Sequence, residues 1–424
     1  MKIYICKKTM FCSTIAKYIN IGDYVYKYEN IKKAAIRGSF NEEYNNSEQV
    51  SSILTAITLP DFFEFVKDEP EDVAGGGIAT SSEVLAIPIE YGNNPVLDPS
   101  IDRAYYPSAL YFANGFNVEG ASYKYICIHS GDVNAGGGLI IAGSQDFKTW
   151  VQLNSGNPLI GLPSSAHHAH IIKLEENLFR LYYWDSSNLY SVSAIRTATS
   201  TNLINWTNDK ALKNGSNPII TGIHPDWNRG SYGPCECIYN PNATNTGTNP
   251  FDYSYALYFD ATTGGYESIG LGYSSDGITF NLYGLVLDHS SFTHSATPWD
   301  SGYSTFGRII KTPLGSWMMF YSGGINAAHE GVGVAISNNG LEWTKLTTSG
   351  PLISTVINSW REQRVYAVSI MSDFDNRFSG AGDEVDVKML ISGRDSSGNY
   401  TCGYFNIPYI YANVKELAYR LGKL

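Results

Sequence analysis

Several short stretches of this chain place acid–base side chains on or beside strand-like sequence. Cys235-Glu236-Cys237 sets a carboxyl between apolar neighbours. Removing a carboxylate from water disfavours its charge, so Glu236 is expected to hold its proton tightly and to serve as a proton donor. Asp102 sits just before another strand-like run and is the candidate base. His167-His168-Ala169-His170 alternates, so His168 and His170 share one strand face. His168 is the candidate for proton transfer. Imidazoles two apart can share a metal. No clear third ligand lies nearby in sequence, although His224, Asp226 and His129 can approach in space. Ligand hydrogen bonding is therefore the stronger reading, and neither metal nor cofactor is expected.

Other polar and aromatic residues gather in short segments between strand-like runs. They include Arg103, Tyr106, His167, His170, Asp185, Arg229, Tyr232, Asp260, Tyr303 and Arg364. Aromatic faces stack on sugar C–H groups, while carboxylates and guanidinium groups bond hydroxyls in pairs. The set suits a polyhydroxylated ligand, a glycan or small sugar. Polar loops with capping aromatics are also common where no ligand binds.

These residues need a scaffold, and a repeated phrase supplies it. Ser144-Gln-Asp-Phe-Lys-Thr-Trp150, Ser200-Thr-Asn-Leu-Ile-Asn-Trp206, Ser274-Ser-Asp-Gly-Ile-Thr-Phe280 and Ser337-Asn-Asn-Gly-Leu-Glu-Trp343 lie 56, 74 and 63 residues apart. The central Asp or Asn can hold a tight turn by bonding to backbone, and the aromatic starts the next strand. A period this long carries several strands, which predicts an all-β propeller with one sheet per repeat. A second phrase marks outer strands: Asn157-Pro-Leu-Ile, Asn217-Pro-Ile-Ile, Gly350-Pro-Leu-Ile and the degenerate Gly284-Leu-Val-Leu. Asn94-Pro-Val-Leu97 precedes every turn phrase, so it is an outer strand without a blade of its own. Strand-like Val385–Ser392 and Tyr400–Phe405 lack an outer partner. Five blades closed by Asn94–Leu97 account for both, and closure protects the open edges.

The expected organisation is a small helical segment and Gly-rich linker over 1–77, the propeller over 78–414 and a tail over 415–424. The helical expectation rests on mixed apolar and charged residues in Phe11–Gly38 and Glu48–Lys67. The linker is Asp68–Gly77, and the segment reads as a docking arm for a partner. Its Val73-Ala-Gly-Gly76 also resembles the end of a double-glycine export leader. The N-terminus has no apolar run of a secretory signal, and no stretch approaches a membrane span. Net charge is −11, which argues against nucleic acid as a partner. Six cysteines form no disulfide framework and are read as reduced.

Gly331-Val-Gly-Val-Ala-Ile-Ser-Asn-Asn-Gly-Leu-Glu-Trp343 and the Asn-Pro endings resemble the five-bladed propellers of glycoside hydrolases, over about residues 92–411. That superfamily includes the arabinanase and xylosidase group, the invertases and the mannoside phosphorylases. The resemblance implies three carboxylates on the inner strands of blades 1 to 3. This chain carries Tyr106-Pro107, His167-His168 and Tyr232-Gly233-Pro234 at those places. Within Cys235-Glu236-Cys237, Glu236-Cys237 is similar to the Glu-Cys of the invertases, whose Glu is the acid/base. Glycoside hydrolysis needs one protonated and one ionised carboxyl, which directs attention to Glu236 and Asp102. A non-catalytic glycan- or receptor-binding propeller is the alternative.

Overall fold

The computed structural model describes strands between residues 2 and 68, and then residues 88–97, 104–131, 137–187, 194–214, 217–218, 231–263, 266–288, 299–311, 317–325, 330–347, 350–370 and 384–411. The chain divides into two compact units, 1–79 with 418–424, and 80–417. No helix among the described residues is long and apolar enough to cross a membrane.

In the first unit the described part of Phe11–Gly38 is strand where a helix was expected, while residues 48–62 of the second expected helical stretch lie outside the described residues. The unit's described elements are strands, five of them in the order Glu42–Tyr44, Lys33–Arg37, Tyr24–Tyr28, Lys2–Cys6 and Phe63–Asp68. Met10–Cys12 and Lys17–Ile19 form a separate hairpin. The physical reason lies in Lys2-Ile-Tyr-Ile-Cys6 and Tyr24-Val-Tyr-Lys-Tyr28, which are rich in β-branched and aromatic residues that favour pleated sheet. Residues 69–77, with the linker and the leader-like glycines, lie outside the described residues.

The described strands of the second unit form five antiparallel blades, with four strands in blades 1, 2, 3 and 5 and five in blade 4. A parallel bridge from Glu267 to Tyr303 joins blades 3 and 4, and Lys213–Asn214 with Asn217–Pro218 makes a further two-stranded ladder. Blade 1 runs from inner strand Tyr105–Val118 through Ala121–Ser130 and Leu139–Ser144 to Trp150–Gln152. Blade 2 has inner strand Ala166–Glu175, blade 3 Ser231–Tyr239, blade 4 Tyr303–Lys311 and blade 5 Arg364–Ile370. The core lies between neighbouring sheets. Ile126, Ile128 and Ile141 of blade 1, for example, pack with Ile171, Leu181 and Trp206 of blade 2.

The recurrent phrase forms the turn before each outer strand in blades 1 to 4. Ser144 Oγ accepts the N–H groups of Asp146 and Phe147, at 3.2 and 2.9 Å. Asp146 Oδ1 accepts those of Lys148 and Thr149, at 2.9 and 2.7 Å. Ser200–Asn202, Ser274–Asp276 and Ser337–Asn339 repeat the arrangement. The fourth residue of each phrase is left-handed, with φ of 67° at Phe147, 66° at Leu203, 72° at Gly277 and 75° at Gly340. Trp150, Trp206 and Trp343 donate Nε1–H to that residue's carbonyl.

Blade 5 has no such phrase. Ile89–Glu90 pairs with Tyr400–Tyr411. Val96 and Leu97 donate to the Cys402 carbonyl at 2.9 and 3.1 Å, and Asn94 exchanges hydrogen bonds with the Tyr404 backbone at 3.0 and 2.8 Å. Arg361 pairs with Glu90 at 2.6 Å, and Trp360 Nε1 donates to the other Glu90 oxygen at 2.8 Å.

Candidate functional site

All five inner strands lose ladder register near their starts, a β-bulge in each. A bulge turns the local side chain away from the regular alternation. In three strands the turned residue has a left-handed backbone: Tyr106 at φ 52°, His168 at 48° and Phe306 at 52°. Such conformations are costly for bulky side chains and concentrate at functional sites. The kinks are held from the preceding blade. Ser392 Oγ accepts Tyr106 N–H at 2.9 Å, Ser130 Oγ accepts His168 N–H at 3.0 Å, and Asp260 Oδ1 accepts Phe306 N–H at 2.8 Å.

The turned side chains meet one another on the ring axis. Tyr106 stacks on His168, with centroids 4.6 Å apart and planes at 19°. Phe306 lies 5.1 Å from Tyr106 and 4.7 Å from His168, and Tyr366 lies 5.3 Å from Tyr106. Blade 3 leaves room with Gly233, where a Cβ would collide with the His168 ring. Toward the open side, Tyr105 lies 4.9 Å from Tyr106 and 5.1 Å from Tyr400. Tyr105, Tyr106 and Tyr400 are all partly exposed. They form a wall of partly exposed tyrosines packed against the aromatic floor of His168, Phe306 and Tyr366.

Two carboxyls flank this floor on blade 3. Asp260 is fully buried. Its Oδ1 also accepts the Cys235 S–H at 2.9 Å, and its Oδ2 lies 3.7 Å from His168 Nδ1. Burial raises its pKa to about 6, against the pull of Cys235, Thr305, Phe306 N–H and Arg308. Glu267 opens the third strand of blade 3. Burial, and then the Asp260 charge, push its pKa up to about 8, against the pull of Arg364 and Thr305. A carboxyl raised this way stabilises the folded state most below its ordinary value of 4.5, and that contribution is lost as pH rises through about 8. Nothing in the strand pattern singles Glu267 out.

Glu236 corrects the expectation of a tightly held proton. Burial acts to raise its pKa, but His170, Arg308 and the Ile309 N–H outweigh it and hold the carboxyl below its ordinary value. His170 Nε2 lies 3.1 Å from Glu236 Oε1, and Ile309 N–H donates to Oε2 at 3.4 Å. Ser108 accepts Ile171 N–H, and Ser369 accepts Ala109 N–H, in comparable ties between other inner strands. Glu236 is thus an ionised strand-to-strand tie, one layer beyond the aromatic floor.

The remaining candidates separate by place. Tyr106, His168 and Asp260 come together at the floor. His167 stacks on Trp184 at 5.1 Å and 13°, and burial lowers its pKa to about 4 in spite of Asp185. Asp185 is engaged by Ser165 Oγ at 2.6 Å and lies 3.9 Å from Arg196. Tyr303 and Arg364 are partly exposed; burial and then the Glu267 charge push the Tyr303 hydroxyl up, and Arg364 pulls the Glu267 carboxyl down. Asp102, Arg103 and Arg229 lie outside the described residues, as do Asp226 and His224, and Tyr232 is described in its backbone alone. Among the described residues, no three His, Cys, Asp or Glu side chains gather as metal ligands. The four described cysteines, 127, 235, 237 and 402, are buried and free of disulfides.

No family model and no curated protein matches the chain. Solved structures do. An N-acetylgalactosamine deacetylase from F. plautii, in complex with blood group B trisaccharide, is 16% identical with a TM-score of 0.53, covering 79% of this chain and 95% of its own. A glycoside hydrolase is 12% identical with a TM-score of 0.52, covering 78% and 95%. At such identity the likeness speaks for architecture. The chain has the fold of the five-bladed glycoside hydrolase propellers.

Proposed function

We propose that this ring is a carbohydrate-active propeller that holds a glycan in the mouth of its central channel and hydrolyses a glycosidic bond there. The observation that carries the reading is the run of packed, partly exposed tyrosines Tyr105, Tyr106 and Tyr400, with the Glu267 carboxyl in electrostatic reach of Tyr106, Tyr303 and Arg364. Stacking faces beside a few convergent polar groups are what a sugar ring requires. The solved relatives support the same class, one being a glycoside hydrolase and another a deacetylase holding a trisaccharide. Glu236 is not kept as the proton donor, because it is ionised and tied to His170.

One observation favours binding without turnover. Tyr106 and His168 occupy the axis where the resemblance implies carboxylates, and Asp260 beneath them is out of reach of a ligand. The two readings separate on the full-length protein. A glycan array identifies a bound sugar, and aryl glycosides of that sugar are then tested for release of the phenol. Hydrolysis with binding is expected. Binding with no release across the panel leaves the lectin-like reading, and no binding to any glycan removes both.

A further inference from the structure

We propose that the glycan held at the tyrosine wall is anionic, and that Arg364 and Arg394 of blade 5 together bind its carboxylate or sulfate group. The inference rests on the carbohydrate-binding part of the reading above and requires no turnover.

The register brings the two arginines together. Arg364 opens the inner strand of blade 5, Arg364–Ile370, and Arg394 ends the second, Glu384–Arg394. They stand directly opposite each other in the antiparallel ladder. Opposite side chains project from one sheet face, with Cβ atoms about 5 Å apart. Tyr400, which opens the third strand, is in turn opposite Arg394. The Arg394 guanidinium lies 5.2 Å from the centre of the Tyr400 ring, and that ring is 5.1 Å from Tyr105. One row across three strands thus reads arginine, arginine, tyrosine and runs into the tyrosine wall. Both arginines are partly exposed.

Like charges directly opposite each other destabilise a sheet, and the protein supplies nothing to offset them. Elsewhere the described arginine side chains have acceptors. Arg180 donates to the Gly277 carbonyl, Arg196 to Asp209, Arg308 to the Ala169 carbonyl and Arg361 to Glu90. Among the described residues, Arg364 and Arg394 have neither a hydrogen-bond acceptor nor a carboxylate partner, and Arg394 Nε is buried in that state. The carboxylates nearest in sequence are engaged in their own turns. Asp395 accepts the backbone and side-chain N–H groups of Asn399 at 2.8 and 3.0 Å, and Glu362 accepts Asn358 N–H at 3.2 Å. Glu267, which feels Arg364, is raised to about 8 and so carries little charge at pH 7. In a chain of net charge −11, two opposed guanidinium groups without a carboxylate point to an anion supplied from outside.

The chemistry of the pair selects that anion. A guanidinium group stays charged at physiological pH, and its fork of N–H donors matches the paired oxygens of a carboxylate or sulfate. A neutral hydroxyl accepts from one arginine but does not offset the repulsion between two. The row spans roughly 10 Å, two strand spacings. A sugar ring on the tyrosine wall can therefore direct an acidic substituent at both guanidinium groups.

The test places the full-length protein on an array of neutral, carboxylate-bearing and sulfated glycans, whose separate arms distinguish the two acids. The best binder is then titrated beside a matched derivative, with its carboxylate reduced to the alcohol or its sulfate removed. The neutral derivative is expected to bind about 10–100-fold more weakly, the loss of hydrogen bonds to a charged group. Arg364→Gln and Arg394→Gln should each weaken the anionic glycan by a similar factor and change the neutral derivative little. Arg364→Gln should also melt no lower than wild type, because it relieves the like-charge pair. A lower melt shows the arginine serving the fold and overturns the inference. Equal affinity for the anionic glycan and its neutral derivative, or an array positive for neutral glycans alone, overturns it as well and leaves the carbohydrate reading standing. A protein that binds no glycan overturns both.

Discussion

Lys345→Met is expected to destabilise the protein by about 3–5 kcal/mol, the cost of leaving one member of a buried ion pair without its partner. Lys345 Nζ lies 3.0 Å from Asp300 Oδ2 and donates to Ser304 Oγ at 2.6 Å. Asp300 is fully buried and also accepts the Tyr321 hydroxyl at 2.7 Å. Burial moves both groups toward neutrality, raising the Asp300 pKa against the pull of Lys345 and lowering the Lys345 pKa against the pull of Asp300. Desolvation thus outweighs attraction within the pair. The double variant Asp300→Asn with Lys345→Met, which keeps an acceptor for Tyr321, should therefore lie closer to wild type than the single variant. Urea denaturation measures all three. A single-variant loss below about 1 kcal/mol would contradict a desolvated pair, since exposed pairs are worth that little.

Two truncations of the N-terminal side should behave oppositely. A chain starting at Ile78 keeps every described contact of the ring and is expected to melt with the full-length protein. This is the boundary expected from the Gly75–Gly77 hinge. A chain starting at Asp98 loses the strand paired with Tyr400–Tyr411, the Glu90 carboxyl bound by Arg361 and Trp360, and Leu97, which is 5% exposed. Removal of a buried leucine alone typically costs about 3–5 kcal/mol. The shorter chain also presents an open strand edge, which favours self-association. We infer that residues 89–97 close the ring. Thermal melts and light scattering on both chains check this, and equal melting temperatures would refute it.

The turn phrase is legible in sequence because its chemistry is local. Serine and aspartate close hydrogen bonds within three residues, so Ser144–Trp150 and its copies need no tertiary knowledge. The orphan Asn94–Leu97 is legible for a related reason, since an outer-strand phrase without a blade must pair elsewhere. Outer strands themselves begin earlier than the Asn-Pro phrases, directly after the aromatic, as at Thr207–Ala211 and Asn281–Leu287. The first unit misleads because lysines interspersed among tyrosine and valine mimic helical spacing over short windows. Glu236 misleads for a deeper reason. Its apolar sequence neighbours signal burial, but the sign of the pKa shift is set by His170 and Arg308 on other blades. Glu267 is invisible on the same grounds, because its raised pKa comes first from tertiary burial and then from Asp260, seven residues away in sequence and on a neighbouring strand.

The claim that a glycan occupies the tyrosine-lined mouth is tested most directly by a crystal structure of the full-length protein soaked with the glycan that binds best on an array. The account predicts a sugar ring stacked on Tyr105 or Tyr400, with one of its oxygens within hydrogen-bond distance of the Glu267 carboxyl. A glycan seated away from this wall, or a mouth that stays empty while the glycan is bound elsewhere on the ring, would contradict it.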